Sequence, residues 1–189
     1  MGADSRILLC VEARIIDESR MTAELDRAIR EGLCACFPAE VDTFRRTRAW
    51  HGSAPGFSVL VGDERLVIAH LGVVERVIRI GKQSVNIAGV QNVFVRPEYR
   101  GNGLVDRILG ASMDEALRRR IDVGMLFCLP VLEKIYARNG WIALPYRQVH
   151  ATRSSGEQYV LDEKNILMFH PLIRRDFPEG PIDLQGDDW

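Results

Sequence analysis

The sequence predicts an α+β fold: one domain over residues 1–189, built on a mixed, mainly antiparallel sheet with flanking helices. Three observations carry this reading. Apolar, β-branched runs separated by short turns fill residues 57–95, the pattern of antiparallel strands joined by hairpins. The last of these runs, Ile87 to Val95, stops at Pro97, which cannot donate to a ladder. It leads through Arg100-Gly101-Asn102-Gly103 into Leu104, Ile108, Leu109, Met113 and Leu117 at helical spacing. The next apolar run, 123–129, is reached only through that helix, so it lies parallel to its predecessor by a right-handed crossover.

The elements follow in order. Residues 7–16 read as a first strand. Residues 20–36 read as a helix, with Leu25, Ile29, Leu33 and Cys36 on one face, stopped by Phe37-Pro38. A second, short helix is expected over 40–50, its charges (Glu40, Asp42, Arg45, Arg46, Arg48) forming a solvated face. Strands over 57–61, 65–80 and 84–95 are separated by turns at Gly62-Asp63-Glu64 and Gly81-Lys82. The helix after the glycine loop spans roughly 101–120 and is followed by the fifth strand, 123–129. Residues 131–139 form a short helix ended by Gly140. Residues 141–150 and 159–169 read as a closing hairpin, turned near Ser154-Ser155-Gly156.

Composition sets the functional classes aside one by one. A formal net charge of -1 gives no electrostatic footprint for nucleic acid. No apolar run is long enough to span a membrane, and the first residues form no apolar signal segment, so a cytoplasmic protein is expected. The four cysteines, Cys10, Cys34, Cys36 and Cys128, lack zinc-site spacing and read as buried free thiols, with no metal. His70 falls in a strand and reads as a satisfied core residue. His51, His150 and His170 fall at loops or strand ends with no paired acid in view. Neither a Gly-x-Ser-x-Gly elbow nor a His-Glu-x-x-His motif is present, so nothing favours hydrolase chemistry.

The order strand, glycine loop, helix N-terminus has a specific chemistry. Free backbone N–H groups and the positive end of the helix dipole suit phosphate, and glycines let the backbone approach it closely. The stretch Val95-Arg96-Pro97-Glu98-Tyr99-Arg100-Gly101-Asn102-Gly103-Leu104 resembles the acyl-CoA-binding motif of the GCN5-related N-acetyltransferases (GNAT), Arg/Gln-x-x-Gly-x-Gly/Ala. Arg100 and Gly103 fill its first places, and Val105 stands where the motif has a small residue. The resemblance implies the GNAT fold, with splayed fourth and fifth strands and the pantetheine arm in the gap. It implies acetyl-CoA as co-substrate, held by Arg100, Gly101, Asn102, Gly103 and Leu104 with the strand edge Val93, Phe94 and Val95. Ile135-Tyr136-Ala137-Arg138-Asn139-Gly140-Trp141 resembles the stretch after the family's fifth strand, which makes Tyr136 the acid that protonates the leaving thiolate. A bulge on the family's fourth strand exposes a backbone N–H to the thioester oxygen, and Gln91-Asn92-Val93-Phe94 covers that place.

The tail from Phe177 to Trp189 resembles two branches of the family. Gly186, Asp187 and Trp189 match the Gly-Asp-x-Trp ending of aminoglycoside 2'-N-acetyltransferases. Pro178-x-Gly180, Arg48-x-Trp50-x-Gly52 and Ala69-His70-Leu71-Gly72 match the rhizobial nodulation N-acyltransferase, which acylates an amino-sugar oligomer. The implied reaction moves an acetyl group from acetyl-CoA to a primary amine of a small polar acceptor, an amino sugar or aminoglycoside-like molecule. Longer-chain acyl transfer of the nodulation type and non-catalytic acyl-CoA binding are the alternatives, and a homodimer stays open. Asp183, Asp187 and Trp189, with its terminal carboxylate, are the expected acceptor contacts, joined by Glu40 and Asp42. The aminoglycoside branch has a Glu general base where this chain has Gln91, a neutral amide. Gln91 and Trp189 therefore join Tyr136 as the expected catalytic positions. The base falls to another group: Glu75, the tail carboxylates, or water held by Gln91 and Asn92.

Overall fold

The structure is a computed structural model and describes residues 12–189. Strand β1 (Arg14–Asp17) pairs antiparallel with β2 (Phe57–Gly62). The strand expected over 7–16 overlaps β1 only at its end. Residues 7–11, and Cys10 with them, lie outside the described residues. Helix α1 (Ala23–Cys36) begins at a cap: the Thr22 hydroxyl accepts from the Leu25 N–H at 3.2 Å. The helix expected from residue 20 begins at Ala23, and residues 18–20 form a separate single turn. Leu25, Ile29 and Leu33 bury its inner face against Leu60, Val67 and Phe94.

The helix expected over 40–50 is only the single turn α2 (Val41–Phe44). Arg48 explains the difference. Its guanidinium turns inward to Glu18 at 2.5 Å and Asp26 at 2.7 Å, with 9% of the side chain exposed. Arg48 is thus a buried tie to β1's end and α1, not part of a solvated face. The expected buried thiols divide: Cys128 is buried, whereas Cys34 and Cys36 are half-buried and free.

Strands β2, β3 (Val67–Ile80) and β4 (Gln83–Val95) form the antiparallel meander. Helix α3 (Leu104–Arg118) crosses to β5 (Val123–Cys128), which pairs parallel to β4. The short helix α4 (Glu133–Ala137) leads to β6 (Ile142–Ala143), β7 (Val149–Thr152), β8 (Gln158–Val160), β9 (Ile166–Pro171) and β10 (Ile182–Asp183). Side by side the order is β6-β9-β5-β4-β3-β10-β7-β8, with β2 along the first half of β3 and β1 on β2. The sheet is mixed and mainly antiparallel, with helices packed against it, as the sequence predicts.

The closing hairpin is corrected. Residues 141–150 and 159–169 do not pair as one ribbon. β6 pairs with β9 at one edge, while β7 and β8 form their own hairpin at the other. Pro145 interrupts the run after β6 because it has no N–H for a ladder. Strand β10, unforeseen, wedges the tail between β3 and β7: Ile182 lies opposite Ile80 and Val149. That brings Leu184 and Trp189 onto the face formed by Ile78, Ile87, Val123 and Met125.

One irregularity in β4 positions everything that follows. Gly72 pairs with Gln91 and His70 with Phe94, so Leu71 faces both Asn92 and Val93. This is a β-bulge, and Asn92 takes the left-handed backbone it needs, φ 53°. The extra residue reverses the alternation of the strand. Ala88 and Val90 reach the α3-side core before it, and Val93 and Val95 pack there after it.

His70 braces the bulge from within. Its Nδ1 lies 3.2 Å from the Asn92 carbonyl, an acceptor only, so Nδ1 carries the proton. Nε2 faces the Ser58 hydroxyl at 3.3 Å. Burial, together with the nearby Arg48 charge, pushes the imidazole down to about 3. The folded state therefore refuses a proton that the unfolded chain accepts below its ordinary pKa of about 6.5. The stability His70 contributes is complete above that value and is lost as pH falls from there toward 3. Denaturant titrations from pH 6 to pH 4 should show that the wild type loses about 1.4 kcal/mol per pH unit more than His70→Gln.

Candidate active site

The glycine loop has the expected form. Gly101 (φ 80°) and Gly103 (φ 69°) both lie in the left-handed region, and Gly103 immediately precedes α3. A Cβ added at either would meet nothing within 4 Å among the described residues, so the space in front of the loop is open to an anion. The first N–H groups of α3 have no acceptor within their own helix and point toward that space. Arg100 donates from Nε to the Val95 carbonyl at 3.1 Å, tying the loop to the end of β4. Asn102 closes the turn with bonds to the Tyr99 and Arg100 carbonyls.

Strands β4 and β5 pair only from Ile87/Val123 to Gly89/Met125. Beyond that point β4 runs on to Val95 and β5 to Cys128 without partnering each other. The gap opens into a cleft of about 680 Å³. Val90, Gln91, Asn92 and Val93 line one wall, and Leu126 to Leu129, Leu132 and Tyr136 line the other. The bulge at Asn92 thus faces Tyr136's wall across the gap. Tyr136 is 8% exposed and stacks edge-on against Trp141. Burial first, and the neighbouring Cys128 second, raise its phenol above the ordinary value, so it holds its proton. Cys128 is itself raised by burial to about 11 and stays a thiol.

The tail closes the cleft. Trp189 is buried and lines it. Its ring lies on Gly89, where an added Cβ would come within 2.4 Å of the indole, and it packs against Phe127 at 5.7 Å between centroids. The Arg76 guanidinium sits 5.7 Å from the same ring and donates to the Asp187 carbonyl at 2.6 Å. Ser53 joins three parts: its hydroxyl donates to the Asp187 carbonyl at 2.9 Å, and its own carbonyl accepts from Gln91 Nε2 at 2.8 Å. The Gln91 amide is thereby spent on holding the 50–53 loop against the bulge. Asn92 Nδ2 donates to Gln91 Oε1 at 3.2 Å and to the Arg48 carbonyl.

The structure brings together Gln91, Val93, Tyr136, Trp189 and Glu40 on one cleft. The remaining sequence candidates lie elsewhere. Asp42 is exposed on α2 and does not line the cleft. Asp183 is taken up in β10, its carboxylate accepting from the Gln185 N–H at 3.0 Å. Asp187 meets Tyr159 at 3.4 Å but stays off the cleft wall. Glu75 pairs with Arg119 at 3.2 Å, also off the cleft. Phe94 packs on His70 and α1 rather than toward the gap.

A cluster the sequence reading passed over occupies the mouth instead. Asp188 accepts from Tyr159 Oη at 2.7 Å and lies 2.8 Å from His51 Nδ1, and all three residues line the cleft. Burial works against the Asp188 charge, but the bonds from His51 and Tyr159 outweigh it and hold the carboxyl below its usual range. Burial raises the Tyr159 phenol to about 12. His51 and Asp188 are far apart in sequence, and no spacing rule joins them; the acidic tail was the one available hint.

Parted strands, a glycine-loop helix and the cleft between them are the architecture of a CoA-dependent N-acyltransferase of the GNAT fold. The chain belongs to the nodulation protein A family: the profile described as Nodulation protein A (NodA) matches residues 7–167. An aminoglycoside 2'-N-acetyltransferase of Mycolicibacterium fortuitum is 25% identical over 134 residues, covering 70% of this chain and 68% of that protein. A nodulation protein A of Bradyrhizobium sp. (strain NC92) is 26% identical over 144 residues, covering 74% of this chain and 60% of that one. The crystal structure of an Escherichia coli GNAT family N-acetyltransferase in complex with CoA shares the fold, with a TM-score of 0.64 at 15% identity over 93% of this chain and 91% of that one.

A pair of substitutions separates charge from shape at the loop. Asn and Asp both tolerate the left-handed backbone of Gly103 and differ in charge. Gly103→Asp should abolish CoA binding by calorimetry, whereas Gly103→Asn should retain it. Equal affinities for the two variants would show that no pyrophosphate sits there.

Proposed function

We propose that the protein transfers an acetyl group from acetyl-CoA to a primary amine of a small polar acceptor of the amino-sugar class. The observation that carries this reading is the character of the cleft's mouth, where carboxylates and aromatic faces adjoin the parted strands. Glu40 and Asp188 offer negative charge to an ammonium, and Trp50 and Trp189 offer flat apolar faces to a sugar ring.

The chain's own groups then divide the work. The amides from Gly101 to Leu104 hold the pyrophosphate, with Arg100 bracing the loop. The edge of β4 from Val93 to Val95 guides the pantetheine arm. The bulge at Asn92 leaves a backbone N–H out of the ladder, available to the thioester oxygen as negative charge develops on it. Tyr136, still protonated in its buried site, gives its proton to the departing sulfur. Gln91, a neutral amide bound to Ser53, positions the 50–53 loop and does not take a proton.

A second reading has its own observation. Beside the cleft lies a recess of about 180 Å³ with Phe127, Leu144, Val149, Ile166 and Leu167 on its apolar side and Tyr146, Arg147, Asp162, Glu163 and Asn165 on its polar side. It shares Phe127, Leu161, Asp162 and Asn165 with the cleft, and its apolar side would give an acyl chain on the thioester a surface to follow. Acyl-CoA donors of increasing length, tested for thiol release against a panel of amines including glucosamine, aminoglycosides and polyamines, decide both questions. Release with acetyl-CoA and amino sugars is expected; release only with long acyl chains favours the second reading, and release with no amine sinks the transfer function.

Tyr136→Phe should lower turnover roughly 100- to 10,000-fold while leaving CoA affinity unchanged. Turnover near the wild-type level would reduce Tyr136 to a packing residue against Trp141.

A further inference from the structure

We propose that His51, oriented by Asp188, is the general base that takes the proton from the acceptor ammonium. The proposal rests on the transfer reading above. It starts from a mismatch: an alkyl ammonium titrates near 10, and it must lose a proton before nitrogen can attack. Gln91 cannot accept one, because its amide is neutral and both its oxygen and its nitrogen are engaged, by Asn92 and Ser53. Asp188 is a poor base, because its carboxyl is already held in the charged form by two donors. A neutral imidazole nitrogen can both take and release a proton, and His51 lines the cleft.

The geometry supplies the rest. Asp188 accepts only, so the 2.8 Å contact fixes the proton on His51 Nδ1 and leaves the Nε2 lone pair free. The His51 ring is held edge-on to Trp50 at 6.0 Å between centroids. Its side chain is 49% exposed, so it can pass a proton on to water. Two residues later, Ser53 is bonded to both Gln91 and Asp187. The 50–53 loop and the tail therefore place the pair beside the bulge. Other charged or titratable groups around the pair are Asp187 on the tail, Tyr159 on β8, Glu40 before α2, and Arg76 on β3, which reaches the loop through Ser53. The negative groups among them favour an imidazolium once it forms.

The proton and electron count closes. His51 Nε2 takes one proton from the ammonium, and the freed lone pair forms the C–N bond at the thioester carbonyl carbon. The C–S bond breaks, and sulfur leaves with its electron pair and takes a proton from Tyr136. The nitrogen, now carrying one proton too many, releases it to the Tyr136 oxygen through solvent. His51 then returns its proton to water, so each turnover yields an amide, a thiol and one proton.

The test uses the full chain, acetyl-CoA, and whichever amine of the panel releases most thiol. His51→Gln should lower kcat/KM roughly 100- to 10,000-fold while calorimetry shows unchanged CoA affinity. The acidic limb of the kcat/KM profile should vanish in this variant. Asp188→Asn should lower kcat/KM with CoA affinity unchanged, and Asp188→Glu should restore part of it, because the carboxylate orients the imidazole. A His51→Gln profile that keeps the wild-type limb, or an Asp188→Asn variant at the wild-type rate, overturns the base while leaving the transfer function standing. Wild-type protein that releases thiol with no amine overturns both.

Discussion

The structure depends on how far β4 and β5 stay paired. Their ladder ends at Gly89 and Met125, and three residues later Asn92 inserts an extra position into β4. A bulge twists the strand and changes which face each later residue presents. Val93 and Val95 thereby keep the β4 edge packed on the core, although the strand has left its parallel neighbour. The gap is held open by what is built around the bulge: His70 on the Asn92 carbonyl from inside, and the Gln91–Ser53 bond from outside. The cleft is thus a consequence of a register change in one strand.

Trp189 is the second part of that constraint. Gly89 has no side chain where the indole lies, so the ring packs flat on the last paired position of the ladder. Arg76 holds both the ring face and the Asp187 carbonyl, and β10 anchors the tail between β3 and β7. The acidic tail is therefore tied down at several points, and its only cleft-lining residues are Asp188 and Trp189. This ordering explains how one stretch can supply an aromatic wall and a carboxylate while Asp183 and Asp187 serve to fasten it.

Much of this was legible in the chain, and the reasons differ by element. The meander, the glycine loop and the crossover to β5 follow from local pattern: alternation, a proline stop, and helical spacing. Tyr136 and Trp189 were singled out through resemblance to a family's motifs, and both line the cleft. The helix expected over 40–50 failed because Arg48, which looks like a surface residue, is buried by partners at Glu18 and Asp26, a contact no local rule contains. The closing hairpin failed at Pro145, where the run divides between two edges of the sheet. The pairing of His51, set aside for want of an acid, with Asp188 of the acidic tail was missed for the same reason as Arg48, since it exists only after the tail has folded back. What the sequence hides here is long-range pairing, of polar groups at Arg48 and His51 and of the short strands β6 and β10, while the periodicity of the meander and of the longer helices is visible.

If the thioester lies in the gap between β4 and β5, a crystal structure of the protein grown with CoA should have the pyrophosphate on the amides of residues 101–105. The pantetheine should run along Val93 into the gap, with its sulfur on the Tyr136 side and Trp189 still seated on Gly89. CoA bound anywhere else, or a gap closed by continued β4–β5 pairing beyond Gly89 and Met125, would contradict it.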